Sequence, residues 1–118
     1  MKVFRKLVRD RIPEIIAANG EKTITRVLDD TEFLTALENK LLEEVQEMRA
    51  SKARLPDLPD RQAGGQAERK VEIADIYEVL DALIRAYGFS KEEIMALKEK
   101  KRTERGGFEK RLFLEGTE

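Results

Sequence analysis

The sequence predicts an all-α protein, a bundle of amphipathic helices with room for one small terminal β-hairpin. Three observations carry that reading. Ala, Glu, Lys, Leu and Arg supply 64 of the 118 residues, a bias toward good helix formers. Apolar residues recur at helical spacing in three long stretches. Each stretch is bracketed by residues suited to starting or stopping a helix. At 118 residues and 13.6 kDa the chain reads as one domain, residues 1–118. A chain of this mass should bury roughly two-thirds of its unfolded surface, so a core is possible without staples.

The elements follow in order. Pro13 suits a first helical position and Gly20 a stop, which predicts a short helix over 13–19. Thr23–Leu28 carries β-branched residues and is expected to be a short strand. A long helix is predicted from near Asp29–Thr31 to about Ala50, with acidic residues clustered where the helix dipole favours them. Ser51–Gln66 contains Pro56, Pro59, Gly64 and Gly65 and reads as a loop. A second long helix is predicted over 67–87, stopped by Gly88. Ser90 and Glu93 form a capping box, with Phe89 and Ile94 as a hydrophobic staple, so a third long helix should run to about Glu104. It ends at Gly106-Gly107. The apolar, basic tail Phe108–Glu115 is expected to pair with the 23–28 strand.

Composition removes several chemistries. With no Cys there is no disulfide framework, thiolate nucleophile or Cys-ligated zinc. With no His there is no Ser-His-Asp catalysis and no imidazole base or ligand. Any metal must be hard and oxygen-ligated: Mg²⁺, Mn²⁺ or Ca²⁺. No apolar run reaches 18 residues, and the first residues lack the apolar stretch of a signal peptide. A cytoplasmic protein with no membrane partner is expected. The formal net charge of −1 argues against binding a nucleic-acid polymer.

The carboxylates are placed oddly. On a wheel of about 100° per residue with Leu34 at zero, the apolar stripe Leu37, Leu41, Val45 and Met48 spans about 300° to 20°. Glu44 falls at about 280°, Glu47 at about 220° and Glu43 at about 180°, so three acids share the sector beside that stripe. On the second long helix, with Val71 at zero, Ile73, Ile76, Val79, Leu80, Leu83, Ile84 and Tyr87 span about 80° to 220°. Glu72 lies inside that arc and Asp75 on its edge. A lone carboxylate on a buried face is costly or takes up a proton, so something cationic must meet Glu72. On the third long helix Lys98, Lys101 and Arg105 share a stripe with Ile94 and Leu97.

Two readings stay open for these groups. The acids are a solvated Glu-rich face, with Glu72 and Asp75 quenched by the chain's own Arg or Lys and Lys40 neutralising the others. Lys98, Lys101 and Arg105 are then stems snorkelling over the core. Alternatively, five carboxylates on facing helices hold a hard divalent cation, and the basic stripe meets a metal-bound polyphosphate.

The ordered set of residues also carries a resemblance. Glu43-Glu44-Val45-Gln46-Glu47 fits the pattern EExxE and Glu72-Ile73-Ala74-Asp75 fits ExxD, with 24 residues between them. This resembles the MazG-like all-α nucleoside triphosphate pyrophosphohydrolases. The opening Lys6-Leu7-Val8-Arg9-Asp10-Arg11-Ile12-Pro13-Glu14 and the closing Arg105-Gly106-Gly107-Phe108 look like the phosphoribosyl-ATP-pyrophosphohydrolase-like branch. The resemblance spans nearly the whole chain. It implies a helical bundle completed by dimerisation, a homodimer or a dimer of dimers. It also implies Mg²⁺-dependent (or Mn²⁺-dependent) cleavage between the α- and β-phosphates of a nucleotide. Glu44, Glu47, Glu72 and Asp75 would hold the metal. Glu43 would bind or polarise water. Lys98, Lys101 and Arg105 would meet the phosphates, with Lys101 and Glu44 among the catalytic groups.

The chemistry is within reach of such a residue set. Phosphoanhydride hydrolysis needs positioning and charge neutralisation more than covalent help. No clear base-reading residue is present; Phe4, Phe33, Tyr77, Phe89 and Phe108 could stack on a base but read first as core, and the 51–66 loop as a possible border of the base pocket. House-cleaning of non-canonical nucleotides is therefore expected at least as much as phosphoribosyl-ATP cleavage in histidine biosynthesis. The rivals are a non-enzymatic helical dimer acting as adaptor or regulator, and a nucleic-acid binder using the basic N-terminal arm.

Overall fold

The computed structural model describes residues 3–50 and 65–118. It is all-α, with four helices: α1 (Ile12–Ala18), α2 (Asp30–Ala50), α3 (Gly65–Ala86) and α4 (Lys91–Arg105). The 51–64 part of the expected loop lies outside the described residues, and α3 begins at Gly65, inside the stretch read as loop. No described helix is long and apolar enough to cross a membrane.

The caps are local and chemical. Asp29 and Glu32 close a reciprocal box at the start of α2. The Glu32 amide donates to Asp29 Oδ1 at 2.8 Å, and the Asp29 amide donates to Glu32 Oε1 at 3.4 Å. The Ser90 hydroxyl accepts from the Glu93 amide at 3.0 Å, as its spacing predicts. At the end of α3 the Phe89 amide donates to the Ile84 carbonyl and the Gly88 amide to the Arg85 carbonyl, both at 3.0 Å. That is a Schellman closure, and it requires the left-handed φ of 76° that Gly88 adopts.

The packed heart of the chain is α2 against α3. Leu37 on α2 and Val79 on α3 are its buried apolar centre, 3% and 7% exposed. Leu34, Leu41, Val45 and Met48 line the α2 side, half-buried, as the wheel places them. On α3 the covered seam is narrower than the apolar arc. Ile76, Leu83 and Ile84 are half-buried, whereas Ile73, Leu80 and Tyr87 are exposed. One neighbouring helix covers one stripe, and the arc is wider than a stripe. Tyr87 Oη donates to Glu38 Oε1 at 2.9 Å, tying the end of α3 to α2. Lys91 pairs with Asp81 at 3.3 Å and ties α4 to α3.

The expected terminal hairpin is not formed. Neither 23–28 nor 108–115 is a strand. Val27 and Phe108 are 97% and 96% exposed, so nothing described covers the apolar residues of either segment. A two-stranded ribbon with no packing partner is marginal in water. The stripe on α4 is likewise not a buried one. Ile94 is half-buried, but Leu97, Lys98, Lys101 and Arg105 are all exposed.

Candidate metal centre

The α2–α3 seam brings the acids of both motifs together. Glu44, Glu72 and Asp75 each present a carboxylate oxygen, and these oxygens lie within 4.8 Å of one another. Glu43, Glu44 and Glu47 form a second such group, so Glu44 belongs to both. The local reason is helical register. Residues 43, 44 and 47 sit at i, i+1 and i+4, and residues 72 and 75 at i and i+3, so each set projects from one side of its helix. Packing of α2 against α3 then brings the two sides face to face.

Glu44 is the most confined of these groups. Its residue is 5% exposed, and its Oε2 is buried with no hydrogen-bond partner among the described residues. Glu72 Oε2 is in the same position, and so is Nη2 of Arg69, one turn earlier on α3. Burial pushes the Glu44 carboxyl above its usual range, and the charges of Glu47 and Asp75 add to the push; the opposing hydrogen bond and charge from Lys40 do not cancel it. Burial also raises Glu72, reinforced by the charges of Glu47, Glu44, Asp75 and Glu68. These are carboxylates held where a negative charge is under-compensated.

Part of the charge is met from within the chain. Lys40 Nζ lies 3.3 Å from both Glu43 Oε1 and Glu44 Oε1. Burial works against the Lys40 ammonium, but hydrogen bonds and charge from the two glutamates outweigh it and hold its pKa above the usual value. Arg9 Nη2 lies 2.7 Å from Asp75 Oδ1. Lys6 Nζ lies 3.8 Å from Glu43 Oε1. Of the ExxD pair, then, Asp75 is held by a guanidinium and Glu72 by no described cation.

The cations of α4 are elsewhere. Lys98, Lys101 and Arg105 are exposed on α4, and no ion pair joins them to the five carboxylates among the described residues. The basic groups at the acids come from the N-terminal segment and from α2. Sequence reasoning weighed Lys40, which is four residues from Glu44, but assigned no role to Arg9 or Lys6. Their approach is tertiary: Arg9 and Asp75 are 66 positions apart. The available signals were the density of Lys and Arg in the opening segment and the resemblance carried by Lys6 to Glu14.

A hard divalent cation fits this donor set. It takes oxygen ligands, and two buried carboxylate oxygens without partners, on facing helices, are what such an ion would satisfy. Glu44, Glu72 and Asp75 are the residues placed to hold it, with Glu47 beside them.

No family model matches the chain, and no solved structure matches it. A curated relative from Mycolicibacterium smegmatis, described as an uncharacterized protein, is 53% identical over 49 residues. The match covers 42% of this chain and 50% of that protein.

Proposed function

We propose that the chain is a divalent-metal-dependent nucleotide pyrophosphohydrolase, cleaving the α–β phosphoanhydride to release pyrophosphate and a monophosphate. The observation that carries this reading is the pair of buried, unpartnered oxygens on Glu44 and Glu72, converging with Asp75 across the α2–α3 seam. A divalent ion there, Mg²⁺ or Mn²⁺, supplies charge for the phosphate oxygens and can activate water. The protein's share is to hold the carboxylates close and under-compensated. Glu43, half-buried at the rim and paired with Lys40, is placed to accept a proton from water. The resemblance to MazG-like enzymes of the EExxE and ExxD motifs supports the same reaction, on non-canonical nucleotides or on phosphoribosyl-ATP.

The working unit in this reading is a homo-oligomer. The uncovered apolar flank of Ile73, Tyr77, Leu80 and Tyr87 supports a second copy as its cover.

The rival, a helical dimer without catalysis, draws on the Arg9–Asp75 and Lys40–Glu44 pairs, which show the chain quenching part of its own charge. Pyrophosphate release from a panel of canonical, oxidised and deoxyuridine triphosphates plus phosphoribosyl-ATP separates the two. The enzyme releases pyrophosphate from at least one substrate with Mg²⁺ and not with EDTA. Identical behaviour of wild type and Glu72→Ala on every substrate would overturn the assignment.

A further inference from the structure

Resting on that metal-centre reading, we propose that Arg9 is a phosphate-binding residue of the same centre, held on Asp75 until a divalent cation takes that carboxylate. The ligand class is a metal-bound polyphosphate chain.

The geometry of the N-terminal segment carries this. Residues 3–9 form no regular element, yet Leu7 and Val8 are half-buried and fix the segment against the body. The flanking Lys6 and Arg9 reach the two ends of the acid cluster, Lys6 toward Glu43 and Arg9 onto Asp75. Arg9 engages Asp75 through a single nitrogen, and its side chain is 59% exposed. A guanidinium carries five N–H donors in a planar fork that matches phosphate oxygens, so most of its binding capacity is unused by Asp75.

Charge accounting points the same way. Five carboxylates face Lys6, Arg9 and Lys40, which leaves about two negative charges for one divalent ion. Lys40 is mostly covered, between Glu43 and Glu44, and stays with them. Once the ion engages Asp75, Arg9 loses its anion and stands next to added positive charge. The cluster as a whole is then neutral, but Arg9 itself has lost its carboxylate, and it is the exposed fork free to take a phosphate oxygen. Lys98, Lys101 and Arg105 make no contact that would compete for this role.

The test uses the full chain and two probes that do not depend on the base: Mn²⁺ alone, then inorganic tripolyphosphate at saturating Mn²⁺, both by calorimetry. Arg9→Gln should bind Mn²⁺ about two- to five-fold more tightly than wild type, because Asp75 no longer leaves a partner. The same variant should bind tripolyphosphate at least about ten-fold more weakly, because a charge-assisted contact is gone. Arg9→Lys, which keeps the charge and loses the fork, should fall between. Tighter Mn²⁺ with unchanged tripolyphosphate affinity makes Arg9 a structural counterion and overturns the proposal. If wild type binds no Mn²⁺, the metal-centre reading itself fails and this inference falls with it, a result distinct from the first. Melting curves of the variants exclude unfolding as the cause of a loss.

Discussion

Helix α2 carries glutamates at its first turn and in its middle, and the two sets live in opposite electrostatic worlds. At the first turn Glu32 accepts from Arg26, receives the Asp29 amide and sits at the positive end of the helix dipole. The Arg26 guanidinium, bonded to it, holds its carboxyl down at about 2. Three turns on, Glu44 faces Glu47, Glu72 and Asp75 with one lysine for company, and burial pushes its carboxyl up. The same side chain is fully answered in one place and left wanting in the other. Stability accounts for the first arrangement. The second costs stability in the bare chain, a cost that the proposed metal site would relieve.

The largest expected effect lies in the middle of the helix. Glu44→Gln and Glu72→Gln should each reduce pyrophosphate release at least ~100-fold, the scale of losing a charge-stabilising group in a catalytic site. Without metal, neither variant should melt below wild type, since each removes an under-compensated charge. A variant that loses activity and also melts well below wild type would mean the carboxylate is structural.

Second comes ligand-linked stability. Mg²⁺ with a non-hydrolysable nucleoside triphosphate at about 100 times its Kd should add about 2.7 kcal/mol, or roughly 10 °C in Tm for a domain of this size. Glu72→Gln should abolish that shift. No shift in wild type with any nucleotide would favour the non-catalytic dimer.

The pH dependence sharpens the contrast further. Glu44 and Glu72 have folded pKa values raised above the ordinary 4.5, so the folded chain binds more protons there than the unfolded one. Their contribution is therefore most favourable below about 4.5 and is lost as pH rises through the raised values. Glu32 runs the other way: its contribution is present above 4.5 and is lost as pH falls toward about 2. Metal-free melting from pH 3 to 8 should show the upper loss vanish in the Glu44→Gln/Glu72→Gln double variant. Glu32→Gln should give the smallest effect, a lower Tm at pH 7 that converges on wild type near pH 2.

Much of the α2–α3 seam was legible in the sequence because it is periodic. On the wheel Glu72 stands out as an acid inside an apolar arc and Glu44 as one at the border of its stripe, and both prove to have a buried oxygen. Ser90 with Glu93, and Gly88, announce their caps through local chemistry alone. The Asp29–Glu32 box follows the same spacing logic. What stayed hidden depends on tertiary contact. Nothing in the periodicity of residues 3–9 tells where Arg9 lands. The expected hairpin failed for a related reason: β-branched residues at 23–28 state a preference, and no packing partner realises it. The cations on α4 share a helical stripe with Leu97, but a stripe is buried only where another element covers it.

A crystal grown with Mn²⁺ tests the central claim most directly. Anomalous density within ligand distance of Glu44, Glu72 and Asp75, with Arg9 turned away from Asp75, is the expected result. A map with no ion there, and Arg9 still bonded to Asp75 at saturating Mn²⁺, would contradict it.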